Sequence, residues 1–204
     1  MKIIIQIVLA IGIIALGYFT YESIAKPIRF NTEKDIRYKA TIRKLKNIRT
    51  AQIAYKDVKG AYTASFDSLI NFVKNDSLPV IRSIGQIPDH LLDSLTVAMA
   101  VEEGIITRDT IMISVLDSIF PDNYPIDSIK YVPYTDNKEF ELGTNEVETS
   151  SKVKVKVFEA SVTNKVLLQG MDERLIINLT SGDKFPGLKV GDLNVANNNA
   201  GNWE

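Results

Sequence analysis

The residues best suited to chemistry in this sequence are hydroxyls set in a recurring frame. Aspartate, then serine or threonine, then leucine or isoleucine stands at Asp67-Ser68-Leu69, Asp76-Ser77-Leu78, Asp93-Ser94-Leu95, Asp109-Thr110-Ile111, Asp117-Ser118-Ile119 and Asp127-Ser128-Ile129. Residue frequencies alone would give about one such tripeptide, and six occur. One explanation is local structure: aspartate and serine bond to nearby backbone amides, so Asp-Ser-aliphatic is a natural way to start a helix or a strand. The other is that Ser68, Ser77, Ser94, Thr110, Ser118 and Ser128 accept a covalent group, which requires their hydroxyls to be exposed.

Other chemistry is sparse. No P-loop, G-x-G-x-x-G, G-x-S-x-G or H-E-x-x-H pattern occurs. The single histidine, His90, stands between Asp89 and Asp93. Two flanking carboxylates could orient it as a base or let it hold a metal weakly, but a surface histidine at a helix start is the plainer reading. Glu102, Glu103, Asp122 and Asp136 show no pairing rule, so no glycosidase dyad is named. The absence of cysteine excludes disulfides, thiolate metal sites and cysteine nucleophiles. We therefore expect no catalytic, cofactor-binding or metal-ligating residues and no cofactor. The formal charge of -1 predicts no nucleic-acid partner. The basic run from Arg37 to Arg49, with Tyr38 as its only aromatic neighbour, reads as the solvated face of a helix.

The elements that would carry these residues begin with an apolar run from Ile3 to Phe19, interrupted only by Gln6. Extended to Tyr21, about 19 residues at 1.5 Å each reach roughly 28 Å, close to the hydrocarbon thickness of a bilayer. Tyr18, Phe19 and Tyr21 form an aromatic belt at one end and Lys2 marks the other. The rival is a signal peptide cleaved after Ser23-Ile24-Ala25, leaving a mature start at Lys26. Against it, the run is longer than an ordinary signal core and the aromatic cluster replaces a small, polar cleavage region.

Pro27 is expected to break this helix, and Thr32-Glu33-Lys34-Asp35 to start another with a capping box. From there to Lys59 the spacing predicts a long amphipathic helix. Leu45, Ile48, Gln52 and Tyr55 form its packing or partner stripe, extended by Thr41, Ala51 and Val58, and Gly60 is its stop. Ser65 should cap a short helix over Phe66–Lys74, and a third helix is expected over Pro88–Glu103. Strands are predicted over Thr110–Val115, Ile129–Val132, Glu139–Leu142, Val153–Phe158, Leu175–Leu179 and Leu188–Val190. The asparagine-rich end reads as a flexible tail.

An apolar helix leading into an amphipathic helix and then a sheet resembles type IV pilins and the pseudopilins of type II secretion. In residues 1–75, Gln52, Tyr55, Gly60, Tyr62 and Leu69 match the family's glutamine-tyrosine-glycine-tyrosine passage and the short helix after it. The resemblance implies a filament-type subunit. The departures are the charged leader, which is not read ahead of the run, and Gln6 near the place of the family's glutamate. A neutral glutamine cannot make the ion pair proposed to order such filaments, so the expectation is an anchor that does not polymerise. The tripeptide, for its part, resembles the acceptor motif of general O-glycosylation in Bacteroidota, which implies a body outside the cytoplasm. Lys26, Arg29, Lys34, Arg37 and Lys39, read by the positive-inside rule alone, would place it inside.

The expectation is thus an α+β protein: an N-terminal transmembrane helix continuing into a long amphipathic helix packed on a C-terminal antiparallel sheet. Its divisions are an anchor (1–26), a stalk helix with a short second helix (27–78), a strand-rich α+β domain (79–193) and a tail (194–204). Its expected place is the inner membrane, single-pass, with the C-terminal domain in the periplasm. Its partners would be the membrane, other envelope proteins or further copies of itself. The function expected is a noncatalytic structural or interaction subunit of an envelope complex. The alternatives are a pilin-like subunit of a secretion or pilus machine, and a periplasmic ligand-binding domain or enzyme whose site is scattered in sequence.

Overall fold

The apolar run and the amphipathic stretch form one helix, α1 (Lys2–Lys59), with Pro27 inside it. The expected break does not occur. Proline removes one amide donor, here the one that would serve the Ser23 carbonyl, and Ser23 is exposed, so solvent can take the donor's place. The capping box at Thr32 is not made either. The Thr32 hydroxyl donates to the Ile28 carbonyl at 3.0 Å, a mid-helix bond. Gly60, at φ +77°, ends the helix with its amide on the Lys56 carbonyl.

This computed structural model describes residues 2–86, 96–182 and 184–204. They form two compact units that are discontinuous in sequence and cut across the sequential divisions expected at 26/27 and 78/79. One comprises residues 1–49 and 130–204, the other residues 50–129.

In the first unit a three-stranded antiparallel sheet has the order β3 (Glu141–Glu148), β4 (Lys154–Thr163), β5 (Gly187–Gly191). Strand β4 is central, pairing Glu141 with Ser161 on one side and Glu159 with Gly191 on the other. Its Val157, Phe158, Ala160 and Val162 are buried, while Lys154 and Lys156 are exposed. Phe30, Leu45 and Ile48 of α1 are also buried in this unit. After β4 come α5 (Asn164–Leu167) and α6 (Glu173–Thr180).

The strand expected over Leu175–Leu179 is therefore a helix. Asp172 caps α6, its carboxylate accepting from the amides of Arg174 at 2.9 Å and Leu175 at 3.3 Å, and Glu173 stands in the first turn. The tail is also unlike the flexible end expected. Gly201 bridges to Val190, the Asn202 amide donates to the Lys189 carbonyl, and Glu204 pairs with Arg49 at 2.8 Å.

The second unit holds the end of α1, α2 (Phe66–Asn75), a two-stranded ribbon of β1 (Ser77–Ile84) and β2 (Thr107–Ser114), α3 (Val97–Glu102) and α4 (Val115–Ile119). Helix α2 follows its predicted cap, Ser65 Oγ accepting from the Ser68 amide. It buries Phe66, Leu69, Ile70, Phe72 and Val73. Strand β1 went unpredicted because it contains Pro79, which a two-stranded ribbon tolerates since each strand keeps a free edge. Helix α3 starts at a Thr96 cap, so the helix expected from Pro88 is described only in its last part. Ile129–Val132 forms only a bridge, Tyr131 to Glu139, and is not a strand.

Candidate functional site

The apolar part of α1 contributes nothing to a core. From Ile3 to Tyr21 its large side chains are more than half exposed, from 55% at Ile7 to 73% at Ile14, and the segment is long and apolar enough to cross a membrane. A run of this length left uncovered in a folded chain requires an apolar surrounding, because each Å² of apolar surface kept from water is worth about 25 cal/mol.

The stripe on α1 is taken up inside the protein. In the first unit Leu45 and Ile48 are fully buried. In the second, Gln52 is fully buried and Tyr55 half-buried, while Val58, expected on the same side, is exposed. The Gln52 amide donates to the Thr63 carbonyl at 2.7 Å and accepts from the Thr63 amide at 3.1 Å. Tyr55 meets Phe72 edge to face, with ring centroids 5.0 Å apart, and the Lys56 ammonium lies over the Tyr62 ring. The residues that carry the pilin resemblance thus hold the turn at Gly60 and seat α2 against the end of α1.

All five described tripeptides lie in the second unit. Ser68, Thr110 and Ser118 are exposed, and Ser77 and Ser128 are half-exposed. Each sits in a regular element and not in a loop: α2, β1, β2, α4 and the 3-10 turn Ile126–Ser128. Asp67, Asp117 and Asp127 stand in the first turns of their helices, where a negative charge is favourable. Leu69 and Ile129 are buried, and the Ser128 hydroxyl donates to the Pro125 carbonyl. The frame therefore has a local structural role at several copies, with the hydroxyl facing outward at three. Ser94 and His90 lie outside the described residues.

Sequence reasoning missed the polar pins of the first unit. The Tyr38 hydroxyl donates to Asn164 Oδ1, and burial pushes the phenol above its ordinary pKa, so it stays protonated. Arg37 donates to the carbonyls of Leu167 and Gln169 and pairs with Glu33. Lys189 Nζ lies 2.6 Å from Asp192 and 3.0 Å from Glu159. Burial works against its charge, but these two hydrogen bonds outweigh it and raise its pKa. A lysine held charged is no nucleophile; it pins the β5 turn to β4. Among the described residues no group of three or more acidic or histidine side chains could hold a metal ion.

Two hollows open beside α6. One, of about 370 Å³, is lined by Glu22, Lys26, Arg29 and Phe30 of α1 together with Met171 and Leu175. The other, of about 640 Å³, lies between α6 and the segment before it, with Lys165, Gln169, Ile176 and Ile177 in its wall. Set against known protein families, curated proteins and solved structures, the chain matches none. The candidate site is therefore defined by its own geometry: the exposed apolar helix, the foot of the first unit beside it, and the outward hydroxyls of the second. An Asp-Glu cap followed by Leu-Ile-Ile was the signal in sequence that could have revealed α6.

Proposed function

We propose that this protein is a membrane-anchored, extracytoplasmic structural or interaction protein, an envelope-complex subunit without catalytic activity. Its single N-terminal span would lie in the inner membrane and its body in the periplasm. The observation that carries the reading is the complete exposure of the apolar part of α1 in a chain whose other large helical stripe is buried. The basic flank has structural reasons to exist that owe nothing to topology. Arg29 pairs with Glu22, Arg37 is bonded to two carbonyls of the body, and Arg49 pairs with Glu204. The exposed hydroxyls of Ser68, Thr110 and Ser118 suit an O-glycosylated surface.

The cysteine-free chain makes the test direct. A Ser68→Cys variant in cells with a permeabilised outer membrane should react with a membrane-impermeant maleimide. Labelling only after the inner membrane is lysed would overturn the periplasmic placement. The intact mass of native protein should exceed the sequence mass by whole sugar units, and a mass equal to the sequence would remove the glycosylation.

The continuity of α1 through Pro27 favours a second reading, a pilin-like subunit, because such subunits pack through one long N-terminal helix. Gln6→Cys protein should then form crosslinked ladders in the membrane. Monomer alone would leave the anchor and remove the filament.

A further inference from the structure

Helix α1 serves as a ruler for height above the membrane, and the chain after β4 climbs down it. Asn164, at the end of β4, is bonded to Tyr38. Three and five residues on, the carbonyls of Leu167 and Gln169 are bonded to Arg37. Met171 and Leu175 then share a hollow with Phe30, Arg29, Lys26 and Glu22. At 1.5 Å per residue, Tyr38 stands roughly 25 Å beyond Tyr21, whereas Lys26 stands about 8 Å beyond it. The polar layer of a bilayer adds only about 5–7 Å beyond the hydrocarbon on each side. If the aromatic belt marks the hydrocarbon edge, the start of α6 is at headgroup depth.

The surface of α6 suits that depth. Ile176 is the helix's single buried residue, while Ile177 is 61% and Leu179 41% exposed and Leu175 is half-buried. The acidic groups nearby are turned to protein partners: Glu22 to Arg29, and Asp172 to the amides of Arg174 and Leu175. Lys26 and Arg174 are exposed. Aliphatic side chains with cations beside them are what an interfacial helix presents to lipid headgroups.

We propose that α6 is a second membrane contact, lying on the surface of the bilayer that α1 crosses, with Leu175, Ile177 and Leu179 in the interface. The proposal rests on the reading of α1 as a span. It goes beyond anchoring: two contacts, one through the bilayer and one upon it, would fix the tilt and rotation of the first unit, which a single helix leaves free.

The full-length protein, reconstituted in vesicles of phosphatidylethanolamine and phosphatidylglycerol, would carry one nitroxide at a time, on Ile11→Cys, Ile177→Cys, Leu179→Cys or Glu148→Cys. Collision with oxygen reports lipid, and collision with a water-soluble nickel chelate reports solvent. Glu148 is the aqueous reference, because it pairs with Lys154 at the end of β4 opposite Asn164. The oxygen-to-nickel ratio at Ile177→Cys and Leu179→Cys should be severalfold above that at Glu148→Cys and below that at Ile11→Cys. A ratio equal to that of Glu148→Cys, with Ile11→Cys in lipid, would overturn the contact and leave the anchor standing. Low collision with both probes would mean that protein covers α6, and would overturn it equally. An aqueous ratio at Ile11→Cys would overturn the span and the contact together.

Discussion

The side-chain amide of Gln52 matches the backbone of Thr63 bond for bond, donating to its carbonyl and accepting from its amide. Both residues are buried, Gln52 completely and Thr63 to 9% exposure. A polar side chain on the buried stripe of α1 thus satisfies the two backbone groups of a turn that has no ladder of its own.

Gln52→Ala should destabilise the second unit by about 2–3 kcal/mol, because it leaves a buried donor and acceptor unpaired. Gln52→Glu makes a sharper test. A carboxylate there faces the Thr63 carbonyl and is buried, so its folded-state pKa should be raised. Its stabilising form then exists below the unfolded value of about 4.3 and is lost as pH rises. Urea unfolding in detergent should find this variant more stable at acid pH than at neutral pH, and the wild type without that trend.

Two glycines at positive φ should respond unequally to alanine. At Gly191, φ +75°, an added Cβ would stand 2.0 Å from the Phe158 carbonyl oxygen in β4. At Gly60, φ +77°, it would meet nothing within 4 Å. Gly60→Ala should cost about 1 kcal/mol from backbone strain alone. Gly191→Ala must also push β5 from β4, and should cost about 3 kcal/mol or more, read as a shift of the urea midpoint.

The single tryptophan reports on the tail. Trp203 lies half-buried with its ring over Gly201, where a Cβ would meet it at 2.4 Å. Asn202 holds the tail to β5: its Oδ1 accepts from the Lys189 amide at 3.1 Å and its Nδ2 donates to the Gly187 carbonyl at 2.8 Å. Asn202→Ala should release this end at a cost of about 1–2 kcal/mol and shift Trp203 emission to the red. Unchanged emission would mean that the tail stays docked without those two bonds.

What could be read from sequence depended on whether the signal was local. The apolar run, the Gly60 stop, the Ser65 cap and the alternation in β4 depend on neighbours within a few residues, and the structure carries all four. Three expectations depended on what surrounds the chain. Pro27 stays helical because its orphaned carbonyl is exposed, which no propensity records. Leu175–Leu179 looked like a strand because three aliphatic residues in a row suit both periods, and the Asp172 cap decided between them. The tail looked loose from its asparagines, yet Asn202 is bonded to residues about 13 to 15 positions earlier. The candidate site divides in the same way: the span and the tripeptides are sequence features, whereas the foot exists only once α6 has descended along α1.

The pH response of the first unit follows from groups whose shifts have opposite signs. The hydrogen bond from Lys189 holds Asp192 below its ordinary pKa, so its contribution is present above about pH 4 and lost as pH falls through the lower folded value. Lys189 is raised, so its contribution is complete below the unfolded value of about 10.4 and lost as pH rises through the folded one. Burial raises Tyr38 too. Above about pH 10 the unfolded chain gives up the phenol proton while the folded chain keeps it, so stability falls there as well. A plateau bounded by an acid limb and an alkaline limb is therefore expected in urea midpoints taken across pH. Lys189→Met should make both limbs shallower. Tyr38→Phe should make only the alkaline limb shallower, at a cost of about 1 kcal/mol on the plateau for the lost bond to Asn164. If Tyr38→Phe changes the acid limb, the two pins are coupled, and the separate assignments made here to Tyr38 and to the Lys189–Asp192 pair fall.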